Sequence, residues 1–209
     1  MILGMARPSR GSPARTATLN NGDSPRERLL RAADDLFYRR GIRNVGIDEL
    51  IAAAGVAKAS LYKHFESKDD LVAEYVRQRD AQWQAWFQRE VEARASTPRD
   101  RLLVAFDVLA DWLASPDFRG CAFQNASVEL ADARHAGHTA AVASKRAVRA
   151  YLRDLARDAA VEDPGTLADQ LALLAEGAII TALLERTATP GRTARRAAAQ
   201  LLEAASSAS

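Results

Sequence analysis

The chain has 209 residues and a mass of 22.7 kDa, enough for one large domain or two small ones with a buried core. Hydrophobic residues at 48% and charged residues at 27% place it among ordinary soluble globular proteins. A single cysteine, Cys121, excludes an intramolecular disulfide and fits a reducing compartment, the cytoplasm.

The N-terminal MILGMARPSR has too short an apolar run for a signal peptide. The longest apolar stretch, LALLAEGAIITALL, is interrupted by Glu176 and falls short of the ~18 residues a membrane span needs. No membrane partner is expected. Residues 1–64 hold eleven basic against six acidic residues, an excess of five, so the net charge of +2 leaves the remainder at −3. That asymmetry points to an anionic partner at one end of the chain, or to surface-charge variation alone.

In chain order, residues 1–23 are rich in Gly, Pro, Ser and Asn, with Arg7, Arg10 and Arg15 interspersed, and read as a disordered basic tail. Such a tail is an unstructured leader or an arm for a DNA minor groove. Ser24-Pro25-Arg26-Glu27 is a capping box with proline at the first helical position. Leu29, Leu30, Ala33, Leu36 and Phe37 continue it as one apolar face, and Gly41 stops it. Short helices follow over Ile47–Ala54, closed by Gly55, and over Lys58–His64. A long helix opens at Ser67 and runs to Ala95. Further helices fit Arg99–Ala114, Cys121–Asp132, Thr139–Ala160, Thr166–Arg186 and Thr193–Ala205. No segment alternates as a strand does, and no internal repeat appears. The predicted fold is all-α: a three-helix N-terminal unit over 24–70 and a helical bundle over 71–209, about nine helices in total.

The stretch GVAKASLYKHFESKDDL carries the chemistry. A short helix, a tight turn and a second short helix define a helix-turn-helix, whose second helix enters the major groove. Leu50, Val56, Leu61 and Phe65 converge inward, while Lys58, Ala59, Tyr62 and Lys63 take the other face. Lys58 and Lys63 supply charge, Tyr62 a hydroxyl for a phosphate oxygen, and Ser60 a short donor for a base edge or phosphate. Ala59 is small enough to meet a thymine methyl. Lys68 falls in the first turn of the next helix, where backbone N–H groups already favour an anion.

On these residues the segment from Pro25 to Tyr75 resembles the DNA-binding domain of TetR-type transcriptional regulators. The likeness is carried by Ala33, Leu36, Phe37, Gly41, Asp48-Glu49-Leu50-Ile51-Ala52, Ala54-Gly55-Val56, Ser60-Leu61-Tyr62-Lys63-His64-Phe65 and Ser67-Lys68-Asp69-Asp70-Leu71. The resemblance implies DNA contacts from Ser60, Tyr62, Lys63, His64 and Lys68. Three departures stand out: Val45-Gly46 replaces the usual hydroxyl residues, Ala57 the usual capping serine, and Ala59 a common glycine.

For the remainder, the resemblance implies a small-molecule effector site and a homodimer. Arg119-Gly120-Cys121-Ala122-Phe123-Gln124-Asn125-Ala126 is similar to a run seen in one branch of the family. Aromatic residues at Trp83, Trp86, Phe106, Trp112 and Phe123, with Asn125, Glu129 and Glu176 as polar groups, are the candidate pocket; the same aromatics at helical spacing also suit a plain core. Leu171, Leu174 and Ala178 on the eighth helix, with Ala197 and Leu201 on the ninth, are the candidate dimer contacts.

The expected function is a homodimeric repressor of a palindromic double-stranded DNA operator, released by a small molecule. The alternative is a helical small-molecule-binding protein that has lost specific DNA binding. Ser60-Leu61-Tyr62-Lys63 matches the S-x-x-K pattern of penicillin-recognising enzymes, but neither S-D-N nor K-T-G accompanies it. HExxH, GxSxG, a phosphate loop and a dinucleotide fingerprint are absent, so no enzyme and no cofactor is expected. His135, His138 and Cys121 make too incomplete a set for a metal site.

Overall fold

A computed structural model describes residues 22–206, so the predicted tail at 1–23 lies almost wholly outside the described residues. Those residues form nine α-helices and no strand: α1 (Pro25–Arg40), α2 (Ile47–Ala54), α3 (Lys58–His64), α4 (Lys68–Arg94), α5 (Pro98–Leu113), α6 (Ala122–Glu129), α7 (Ala136–Asp158), α8 (Pro164–Glu185) and α9 (Thr189–Ser206).

The N-terminal unit is built by its caps. Ser24 Oγ accepts from the Glu27 N–H at 3.3 Å, and Glu27 Oε2 accepts from the Ser24 N–H at 2.8 Å, closing the box at the start of α1. Gly55, at φ 61°, ends α2 in the left-handed region that a side chain rarely adopts, and so makes the turn into α3. Leu29, Ala33, Leu50 and Leu61 are wholly buried where α1 crosses α2 and α3. The first turns of α4 complete this core: Leu71, Val72, Tyr75 and Val76 are buried, and Tyr75 meets Phe37 edge-on at 5.4 Å. α4 thus carries one continuous core across residue 70, where the sequence divides the chain.

In the body, α4 packs on α5 and α7, α5 on α7 and α9, and α8 between α7 and α9, with α6 lying against α7. Several ends differ from the sequence reading. α7 begins at Ala136, ahead of the predicted Thr139, because His135 Nδ1 accepts from the Gly137 N–H at 2.9 Å and caps it. α8 begins at Pro164, where Asp163 Oδ1 accepts from the Thr166 N–H at 3.0 Å. α6 stops at Glu129, short of Asp132, and α9 starts at Thr189, ahead of Thr193. The 22-residue α8 is long and apolar enough to cross a bilayer by length and composition. Here it packs on three helices, and its mid-helix Glu176 is ion-paired to Lys145.

Candidate functional site

The second helix of the helix-turn-helix, α3, presents an outer face. Lys58, Ala59, Tyr62 and Lys63 are exposed, Ser60 and His64 half-buried, while Leu61 and Phe65 beneath them are buried. Tyr62 leaves half of its surface open to solvent, an uncommon placement for an aromatic ring on a short polar helix. The two lysines differ. Lys58 Nζ is met by Asp48 at 3.4 Å, whereas Lys63 makes no ion pair among the described residues. Lys68 is turned inward: its Nζ donates to the Ile42 carbonyl at 2.7 Å and lies 5.8 Å from the Phe37 ring centroid. Two ammonium hydrogens remain for a phosphate, but the side chain also ties α4 to the turn after α1.

The departures noted in sequence have structural consequences. Val45 is a core residue, 1% exposed, so the position is filled by packing rather than by a hydroxyl. Gly46 and Ala57, the caps of α2 and α3, make no side-chain cap bond. Ala57→Ser is expected to raise the unfolding free energy by about 1 kcal/mol, read from the urea midpoint at unchanged slope.

A cavity of about 830 Å³, open solvent at its mouth included, lies among α4, α5, α6, α7 and α8. Of the eight predicted pocket residues it brings together Trp83, Phe106, Trp112, Phe123 and Glu176. Trp83 stacks on Phe87 at 4.8 Å and meets Trp112 edge-on at 6.1 Å, forming an aromatic wall. Three predicted pocket residues are not in the wall, and each has another task. Trp86 is buried on α4 beside Phe87. Asn125 Nδ2 donates to the Arg119 carbonyl at 3.2 Å and closes the turn before α6. Glu129 Oε2 accepts from the Arg43 N–H at 3.0 Å, reaching back to the N-terminal unit.

Of the polar end of the cavity, the sequence points to Glu176 alone. Lys145 Nζ, on α7, donates to Cys121 Sγ at 3.1 Å and to Glu176 Oε1 at 2.8 Å. Gln124 Nε2 donates to Glu176 Oε2 as well. Burial opposes the Lys145 charge, but the Cys121 sulfur and the Glu176 carboxylate outweigh it, and its pKa stands above the ordinary lysine value. Ser144 and Arg79 also line the cavity. The available signal is Ser144-Lys145 on α7 and Glu176 in the otherwise apolar α8, whose pairing no local pattern reveals.

α6 touches the N-terminal unit at both of its ends. Before its first turn, Tyr38 Oη on α1 accepts from the Arg119 N–H and donates to the Gly120 carbonyl, each at 2.9 Å. Gly120 sits at φ 85°, and a Cβ there would meet Leu183 Cδ2 at 2.9 Å. The Arg119–Ala126 run is therefore a turn that α1 grips through Tyr38, followed by the start of α6. At its last turn, the Glu129 carboxylate packs on Gly41 and caps the Arg43 N–H.

The predicted dimer contacts divide. Leu171 and Ala178 are buried inside this chain, at 1% and 5% exposure, so they are core residues and not available to a partner. Leu174, Ala197 and Leu201 are half-buried. The outward stripe on α8 is Leu173, Gly177, Ile180 and Leu184, with Leu173 and Leu184 at 70% and 75% exposure.

Comparison with known proteins covers most of the chain. Residues 29–75 match the family model for bacterial regulatory proteins of the tetR family, and residues 98–198 match the tetracyclin repressor-like C-terminal domain. The crystal structure of SCO4454, a TetR-family transcriptional regulator from Streptomyces coelicolor, superposes with a TM-score of 0.79 at 31% identity, covering 87% of this chain and 96% of that one. The HTH-type transcriptional regulator YjdC of Escherichia coli K12 is 24% identical over 177 residues, 85% of this chain and 93% of that protein. The HTH-type transcriptional repressor DhaR of Mycobacterium sp. GP1 is 30% identical over 105 residues, about half of each chain.

Proposed function

Because the chain belongs to the TetR family of helix-turn-helix transcriptional regulators, we propose that it is a cytoplasmic homodimer that holds a palindromic operator through α3 and lets go when a small molecule enters the α4–α8 cavity. The observation that carries the reading is the outer face of α3, with an exposed tyrosine and a lysine that has no ion pair among the described residues, above a packed inner face. Repression, rather than activation, is the sense in which the relative DhaR is named.

Dimerisation is assigned to α8 and α9. The Leu173–Leu184 stripe is apolar and exposed along one side of α8, as a surface that packs against its own copy across a twofold axis would be. Two α3 helices then meet successive major grooves about 34–36 Å apart. Leu173→Glu with Leu184→Glu is expected to give a monomer in sedimentation velocity. Because the stripe lies on α8 and not on α3, the same variant is expected to lose cooperative DNA binding without any change in the reading helix.

Release is assigned to α6. Its first turn forms part of the cavity and both of its ends hold the N-terminal unit, so a ligand that moves α6 moves the heads by no more than its differential affinity for the two arrangements. The reading is tested by gel shift with DNA flanking the gene, followed by titration of apolar small molecules. The uncapped α2 and α3 favour a second reading, a binding protein without specific DNA recognition. Absence of a retarded band at low salt would establish that one instead.

A further inference from the structure

The polar end of the cavity contains more than a non-covalent ligand requires. A sulfur that is the chain's only thiol lies 3.1 Å from an ammonium, and the ammonium is held in turn by Glu176 at 2.8 and 3.0 Å. The stacked Trp83 and Phe87 rings, with Trp112 and Phe123, line the same cavity. An independent feature marks the same wall as unfinished. Ser144, adjacent to Lys145 on α7, is 0% exposed and lines the cavity, yet its Oγ has no hydrogen-bond partner. A helical serine ordinarily bonds back to a carbonyl one turn earlier, so an unpartnered buried hydroxyl on a residue that lines a cavity is a group open to a ligand oxygen.

We propose that Cys121 is a covalent capture site for an apolar, aromatic α,β-unsaturated carbonyl compound admitted to this cavity. The rings accept the aromatic body, while Lys145 and Ser144 supply donors for the carbonyl oxygen. The thiolate is the attacking form of a cysteine, and the ammonium is placed to stabilise it. Its sulfur adds to the β-carbon, and the alkene electron pair moves onto the carbonyl oxygen as an enolate beside Lys145. The α-carbon then takes up one proton, matching the one the thiol gave up to solvent. The sum is addition of S–H across the double bond, with no leaving group and no external oxidant.

This inference rests on the cavity being the effector site, and the experiment separates the two. The purified full chain is treated at pH 7 with 4-phenyl-3-buten-2-one, and with acrylamide as a small polar control, and followed by intact mass. One adduct on Cys121 is expected, forming at least tenfold faster than the same reaction with glutathione, with no such preference for acrylamide. Lys145→Met is expected to slow it about tenfold, and Glu176→Gln, which frees the ammonium for the sulfur, to speed it. Opposite signs cannot come from misfolding, which would bring both variants to the free-thiol rate. No adduct, a rate at the glutathione level, or equal rates in wild type and Lys145→Met would overturn the capture site. DNA binding by anisotropy is measured on the same samples. Retained binding by a fully modified chain leaves the capture site standing and overturns the effector reading. Release of DNA by the enone in Cys121→Ala, with no adduct on the wild-type chain, does the reverse.

Discussion

Replacing Tyr62 and Lys63 together with alanine is expected to lower DNA affinity by about 10²- to 10³-fold in fluorescence anisotropy, since a lost base-edge or phosphate contact costs about 1–3 kcal/mol. The expectation follows from how α3 is mounted. Leu61, at 0% exposure, and Phe65, at 2%, fix the helix, so its outer face is held in place before any DNA arrives. Tyr62 is half exposed and Lys63 has no counter-ion among the described residues, so both are available at no cost to the fold. The double variant should therefore unfold within about 0.5 kcal/mol of wild type, as surface substitutions usually do.

The single lysines should separate further. Lys63→Ala is expected to flatten the slope of log affinity against log salt by about 0.9 for the phosphate it neutralises. Lys58→Ala should flatten it less, because Asp48 at 3.4 Å already meets that charge. Asp48→Asn should then raise affinity at low salt, with Lys58 released to the backbone. Equal slopes for wild type and Lys63→Ala would mean that α3 does not face phosphate.

How far the sequence could be read depended on whether a signal was local. α1, α2 and α3 were legible because their ends are written in adjacent residues: the Ser24 box, Gly41 and Gly55. The start of α7 is hidden because its cap is a histidine, an unusual residue for that role, acting through a ring nitrogen. In α8 the apolar residues occupy every side, so periodicity cannot tell the face that packs inward from the face that stays out. That is why the sequence pattern points to Leu171 and Ala178 as contacts when Leu173, Ile180 and Leu184 are the exposed ones. Asn125 and Glu129 suit a pocket by their chemistry alone. Their actual partners are backbone atoms of Arg119 and Arg43, and the second of these lies 86 residues away. The Lys145–Cys121 contact spans α6 and α7 and has no local signature.

Arg79 carries the second large expectation. Its guanidinium lies 3.9 Å over the Tyr38 ring and bonds Asp34 Oδ1 at 2.5 Å, and its side chain is only 12% exposed. It lines the apolar cavity on one side and, on the other, a polar cleft with Asp34, Tyr38, Asp117 and Arg119. Arg79→Met leaves the Asp34 carboxylate, 27% exposed, without its partner. Breaking a buried pair from one side costs about 3–5 kcal/mol, and a chain of this length loses about 2–4 °C of melting temperature per kcal/mol. A fall of roughly 6–20 °C by calorimetry is therefore expected. Adding Asp34→Asn removes the stranded charge and should recover part of that loss, the signature of coupled partners in a double-mutant cycle. Arg79→Lys keeps the charge but loses the planar stack on Tyr38, so it should fall between wild type and Arg79→Met. Additive losses in the Arg79→Met/Asp34→Asn pair would show that the bond contributes nothing. Tyr38 in turn holds Arg119 and Gly120, so the same guanidinium that borders the cavity also steadies the hydroxyl by which α1 grips the turn before α6. If α6 carries the effector signal, Arg79→Lys should weaken the response to ligand more than it weakens DNA binding itself.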